Sequence, residues 1–184
     1  ESQKKPTADA ERQRLRCWNQ LEQIARRTGR PDEALRFAMK TRESLTSSAD
    51  DDLRSRNALQ IAEYQLAIGE DLEARVTLND LLAGKLGLLK TMPKLRTQYL
   101  LGIVEYRADN IPAARSNWQL AEESLTPLLA RHRKAPFLSP SDWIDLQQRQ
   151  IAISEALQRD DTNELLQELT ERLTAPRTPA EPKA

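Results

Sequence analysis

The sequence predicts an all-α fold, a solenoid of antiparallel helical hairpins with about eight helices, and three observations carry that expectation. Leu, Arg, Ala, Glu and Gln dominate, and all five favour helix. Apolar residues recur at intervals of three and four, as in Ala114, Trp118, Ala121, Leu125 and Leu128, and no convincing run alternates with a period of two. The same punctuation returns every 40 residues: Gly29, Gly69 and Asp109 each stand five positions ahead of an alanine, Ala34, Ala74 and Ala114. A period of that size marks stacked helical units.

The elements follow from these signals in chain order. Residues 1–10 are polar, include Pro6, lack the apolar core of a signal peptide and read as a flexible lead-in. With no initiator Met, the chain reads as a piece cut from something larger. A first helix over 8–28 ends at Gly29, which suits a left-handed helix end; Pro31 opens the next helix, 31–47, and Asp32 and Glu33 complement its dipole. Asp50, Asp51 and Asp52 cap the third helix, 50–68, and Gly69 ends it before a fourth over 71–85. Helices over 93–108 and 111–133 repeat the pattern around Asp109. Two prolines in Ala135-Pro136-Phe137-Leu138-Ser139-Pro140 mark an insertion, after which Ser141 or Asp142 caps a helix over 140–158. Trp143, Leu146, Ile153 and Leu157 form its apolar stripe, interrupted by Gln150. A last helix over 161–173 closes the array, and Pro176, Pro179 and Pro182 make 174–184 a disordered tail. Residues 11–173 thus form a single domain of four units, about 15–49, 50–89, 93–134 and 140–173.

The register extends beyond the turns. Leu21, Ile61 and Leu101 align, as do Ile24, Tyr64 and Val104, and Ala38, Leu78 and Trp118. A small residue at Ala34, Ala74 and Ala114 lets paired helices approach closely. Turn, small residue and large residue in this order resemble the tetratricopeptide repeat. Trp18, Leu21 and Ala34 carry the likeness in the first unit, and Ile61, Ala62, Ala74 and Leu78 carry it in the second. Leu101, Gly102, Ala114, Trp118 and Ala121 carry it in the third. The unit length of 40 departs from the family's ~34 residues. The resemblance covers roughly residues 15–129 and implies a right-handed superhelix that binds other proteins through a concave groove.

Composition narrows the chemistry. Lys plus Arg and Asp plus Glu both number 28, which argues against a basic nucleic-acid-binding tail and an acidic disordered chain. No stretch approaches ~18 consecutive apolar residues, so no membrane insertion is expected. Cys17 is the one cysteine and His132 the one histidine. A thiol nucleophile needs a histidine partner, and His132 lies in another unit, so Cys17 reads as structural. His132 sits among Arg131, Arg133 and Lys134, where cations complement a helix end. The aspartate run lacks calcium-loop spacing, and neither phosphate loop, nucleophile elbow nor zinc motif occurs. No enzymatic activity, cofactor or metal is expected.

What remains is a surface. The resemblance places Arg16, Asn19, Gln23 and Arg27 on the groove in the first unit. It adds Arg56, Leu59 and Glu63 from the second, and Arg96, Tyr99, Ile103, Tyr106 and Arg107 from the third. Arg16, Arg56 and Arg96 form a ladder at one register position, and arginine's planar fork suits carboxylates. The reading is a non-catalytic protein–protein interaction scaffold for a protein or peptide segment of acidic character. It would be the partner-binding or regulatory portion of a larger bacterial-type regulatory or assembly protein. The alternatives are a helical-repeat nucleic-acid binder, disfavoured by zero net charge, and a homodimer stacked through Trp18 or Trp143 surfaces. A cytoplasmic location is expected, with a periplasmic domain of a membrane-anchored protein as the alternative. Replacing Ala74 or Ala114 with a bulky residue should overpack the hairpin and lower stability by about 1–3 kcal/mol, which the urea midpoint reports.

Overall fold

The computed structural model describes residues 8–45, 50–135 and 138–158. Among them the secondary structure is helical, without a strand: α1 Ala8–Arg27, α2 Pro31–Ser44, α3 Asp51–Ile68, α4 Asp71–Leu82, α5 Thr91–Arg107, α6 Ile111–Lys134 and α7 Pro140–Ala156. The all-α expectation is met. The expected last helix, most of the lead-in and the tail lie outside the described residues. Helices α2 and α4 end about three residues early, α4 because Ala83 to Leu86 turn instead of continuing. The chain divides into two compact units, Glu1–Asn117 and Trp118–Ala184.

In the first unit the 40-residue period is a backbone fact. Gly29 (φ 69°), Gly69 (φ 85°) and Asp109 (φ 57°) all take the left-handed conformation. Each lets the next residue turn back, so that the N–H of Arg30, Glu70 and Asn110 reaches the carbonyl of Ala25, Gln65 and Glu105 at 2.9, 2.8 and 2.8 Å. This bond closes off a helix end, satisfying a carbonyl that the helix leaves open. The next helix then starts identically three times: the N–H of Ala34, Ala74 and Ala114 bonds to the carbonyl of Arg30, Glu70 and Asn110.

Five residues past each turn the alanine is fully buried. With no bulk beyond Cβ it allows the two backbones of a hairpin to close. Ala34 and Ala38 of α2 pack with Ala25 of α1 and with Ile61 and Tyr64 of α3. In the same way Ala74, Leu78 and Leu81 of α4 pack with Ala58, Ala62 and Leu66 of α3 and with Leu101 and Val104 of α5. Helices α2 and α4 therefore each serve two first helices, their own and the next. Polar contacts fix the register: Thr77 Oγ1 donates to Gln65 Oε1 (3.1 Å), and Asn57 Nδ2 donates to the Ala38 carbonyl (3.0 Å). Arg75 of α4 grips the carboxylate of Glu105 on α5, its Nε donating at 2.7 Å, and Asn110 Nδ2 donates to the same carboxylate (2.8 Å).

Capping agrees with the sequence at α3, where Asp50 accepts from the Asp52 N–H (3.1 Å). At α7 it does not. Ser139, not Ser141 or Asp142, is the cap: its Oγ accepts from the Asp142 N–H (3.2 Å) and donates to the Asp142 carboxylate (2.6 Å). Pro140 is the reason, because it lacks an N–H and takes the first helical position at no hydrogen-bond cost. In this second unit Trp143, Leu146 and Ile153 are buried as expected, and Leu125 and Leu129 are buried on α6. Leu128, placed on the apolar stripe by its spacing, is half-exposed.

The two kinds of residue at the turn predict opposite mutational signs. A Cβ at Gly69 would meet nothing within 4 Å, so Gly69→Ala should cost about 1 kcal/mol through left-handed backbone strain alone. Asp109→Gly removes that strain and should leave stability unchanged or raise it by up to roughly 1 kcal/mol. Paired thermal melts check both signs.

Candidate functional site

The first helices of the hairpins, α1, α3 and α5, carry the residues assigned to a groove. Helices α3 and α5 pack against each other, and Glu63 of α3 is ion-paired with Arg96 of α5. Helices α1 and α3 stand further apart and are joined by one buried hydrogen bond, in which the Tyr64 hydroxyl donates to Glu22 Oε1 at 2.7 Å. Beside that bond a cleft of about 260 Å³ opens. Asn19, Glu22 and Gln23 line it from α1, Thr41 from α2, and Leu53, Arg56, Asn57 and Gln60 from α3.

The cleft brings together three of the residues expected from sequence, Asn19, Gln23 and Arg56. Arg16 and Arg27 lie exposed on α1. The others are placed differently. Leu59 is buried in the core formed by α3, α4 and α5, so it packs the fold and does not line a groove. Tyr99 and Ile103 lean against the same core, half-buried. Tyr106 is exposed. Arg107 reaches back across the α3–α4 turn, donating to the Leu66 carbonyl (3.0 Å) and to Asp71 (2.9 Å). Arg96 and Glu63 hold each other, so the top of the arginine ladder is neutralised. At its middle rung Asp52 is shared between Arg56 and, at 3.3 Å, Lys90. That cluster keeps a net positive charge.

The sequence reading missed Glu22, Thr41, Asn57 and Gln60, and a signal for one of them was present. Glu22 occupies the register position held by Ala62 and Gly102 in the next two units, both buried. A carboxylate at a small-residue core position has to find a partner, and Tyr64 supplies it. Burial raises the Glu22 carboxyl pKa above its ordinary value, partly offset by the Tyr64 hydrogen bond and by Arg26. Burial and the adjacent carboxylate likewise raise the Tyr64 phenol, which stays protonated as the donor. Thr41 Oγ1 donates weakly to Asn19 Oδ1 (3.4 Å). Asn57 Oδ1 is buried and finds no hydrogen-bond partner among the described residues. The cleft thus offers amide and hydroxyl groups, the Glu22 carboxyl, the Arg56 cation beside Asp52 and one unpartnered acceptor, which is equipment for holding a polar backbone.

Elsewhere, His132 stands in the last turn of α6 with Arg131, Arg133 and Lys134, as expected, and it makes contacts the sequence did not suggest. Its ring stacks on Trp143 (4.5 Å between centroids) and its Nδ1 accepts the Leu138 N–H (3.1 Å), binding α7 to the end of α6. Among the described residues no three His, Cys, Asp or Glu side chains gather into a group that could hold a metal ion.

The raised Glu22 pKa fixes a pH dependence. In the unfolded chain Glu22 ionises near 4.5, and in the fold only at higher pH. Its contribution to stability is therefore complete below 4.5 and is lost as pH rises through the folded value. Glu22→Gln keeps an acceptor for Tyr64 without the charge. Its melting temperature should exceed that of the parent chain by a few degrees at neutral pH, and the gap should close as pH falls below 4.5.

Neither a family model nor a curated protein matches the sequence. Among solved structures, the chain is similar to a Podosopora anserina protein described as a kinesin light chain with nearly identical TPR-like repeats. The identity is 18% and the TM-score 0.46, over 87% of this chain and 95% of that one. A variant of the same protein gives 18% identity and a TM-score of 0.47 over 86% and 94%.

Proposed function

We propose that this chain is a non-catalytic protein–protein interaction module whose α1–α3 cleft takes an extended polypeptide segment. The observation that carries the reading is the cleft itself, with Asn19, Gln23 and Arg56 converging on it beside the buried, unpartnered Oδ1 of Asn57. An extended segment presents N–H donors and carbonyl acceptors at regular spacing, and amide side chains are suited to both. Arg16, Arg27 and the positive cluster at Arg56 and Lys90 favour a segment of acidic character. Arg96 is not part of this preference, since Glu63 already occupies it.

The same proposal includes the wider context read from the sequence, a partner-binding portion of a bacterial-type regulatory or assembly protein in the cytoplasm. No helix among the described residues is long and apolar enough to cross a membrane.

Selection of phage-displayed random peptides on the folded chain tests the reading. It should yield a consensus containing a carboxylate. Loss of a charge-assisted hydrogen bond should make Arg56→Glu bind the consensus peptide roughly tenfold or more weakly, with helical circular dichroism unchanged. Equal binding by Arg56→Glu, or no consensus at all, overturns it.

A further inference from the structure

A second hollow, of about 150 Å³, shares no residue with the α1–α3 cleft. Arg42 and Leu45 line it from the end of α2, Arg54 and Ala58 from α3, and Lys85 and Leu86 from the turn after α4. All six belong to the first compact unit. Three apolar side chains and three cations thus meet in one small space, and among the described residues no acid lines it.

Two of the cations depart from the repeat. One register step away, Arg42 corresponds to Leu82, and Lys85 corresponds to Leu45. The scaffold therefore accommodates leucine at both positions, and the positive charge is particular to this hollow. Cations near helix C-termini complement the dipole, which accounts for their sign but not for their partners. Arg42 Nη2 donates to the Met39 Sδ at 3.3 Å, a weak acceptor, and meets no carboxylate among the described residues. Arg54 is ion-paired with Asp51, yet its Nε–H is buried and finds no acceptor among the described residues. Lys85 is paired with Asp80 at 2.7 Å. A buried donor left without an acceptor is costly, and an acceptor brought from outside recovers that cost.

The wall of the hollow is held in place. Gly87 lies so close to the start of α3 that a Cβ there would run into the Asp51 carbonyl, and its φ of 109° suits glycine. Asp51 thus anchors both the turn that carries Lys85 and Leu86 and the guanidinium of Arg54.

We propose that this hollow binds a small organic carboxylate. Its head is held by Arg42, Arg54 and Lys85, and its apolar body rests on Leu45, Ala58 and Leu86. Guanidinium groups match carboxylate oxygens, and a volume of about 150 Å³ takes a benzene-sized body. Inorganic phosphate would answer the cations and leave the leucines wet, whereas a neutral apolar molecule would leave the cations unanswered. With zero net charge the chain has no general attraction for anions, so selectivity for an anion reports on the hollow itself.

Benzoate titrated into the full chain, followed by amide NMR shifts, tests the site. The shifts should centre on Leu45, Ala58 and Leu86 and saturate with a Kd of about 1 mM or tighter. Benzyl alcohol and inorganic phosphate should each bind about tenfold or more weakly, and benzylammonium should not bind. Arg42 and Lys85 are exposed, so the double variant Arg42→Gln, Lys85→Gln should keep the parent's helical circular dichroism. It should bind benzoate about tenfold or more weakly. The absence of shifts at the three lining residues overturns the site, as does unchanged benzoate binding by the folded double variant. Benzyl alcohol or phosphate bound as tightly as benzoate overturns the assignment to an organic acid. The terminal carboxylate of a polypeptide carries the same chemistry as a free acid. An N-acetylated tripeptide ending in phenylalanine supports a chain-end source if it binds more tightly than benzoate, and a free acid if it binds more weakly.

Discussion

The stack depends on one backbone event, a single left-handed residue that ends a first helix and lets its last carbonyls be satisfied within the turn. Gly29, Gly69 and Asp109 perform it with the same hydrogen bond each time. The turn fixes where the second helix starts, and the start fixes which residue lies at the point of closest approach. Ala34, Ala74 and Ala114 are small because the turn delivers them to that point. A larger side chain there would separate the helices and, with them, the face that the next hairpin packs on. The period of the sequence is thus the period of a backbone geometry, and side-chain identities follow from it.

This explains how much of the fold could be read in advance. The turn residues act locally, through φ and through missing side chains, so Gly29, Pro31 and Ala34 announce a hairpin without knowledge of anything distant. The start of α7 at residue 140 was legible, but its cap is Ser139 and neither Ser141 nor Asp142, because Pro140, with no N–H, takes the first helical position. The groove was harder to read. Register places a residue on a helix face, and it does not say how far that helix stands from the next. Helices α3 and α5 pack closely enough for Glu63 and Arg96 to meet, whereas α1 and α3 leave a cleft. The ladder of Arg16, Arg56 and Arg96 is regular in sequence and irregular in environment, with one rung exposed, one beside shared acid and one paired.

The cleft and the Glu22–Tyr64 bond have a common origin. Where the second and third units have Ala62 and Gly102, the first has a carboxylate, and where its neighbours have Ile24 and Val104, the second unit has a tyrosine. A polar pair has replaced apolar packing at the boundary between units one and two. Such a pair holds two helices at a defined separation by one directional contact, and the space around it stays open to polar groups. The raised carboxyl pKa is the energetic trace of that substitution: the charge is tolerated near neutral pH at some cost to stability.

Among the described residues no helix covers Leu21 and Ile24 of α1 as α2 and α4 cover their counterparts on α3 and α5. Leaving Leu21 and Ile24 in water forgoes roughly 1–3 kcal/mol for each side chain relative to full burial. The sequence compensates within the hairpin. Trp18 of α1 stacks on Phe37 of α2 at 5.9 Å, with the Lys40 ammonium 4.5 Å from the Trp18 ring and the Arg36 guanidinium 5.3 Å from the Phe37 ring. The counterparts of these two rings are Ala58 and Gln98, and Thr77 and Asn117. Aromatic stacking with flanking cations is therefore peculiar to the unit whose outer face is bare.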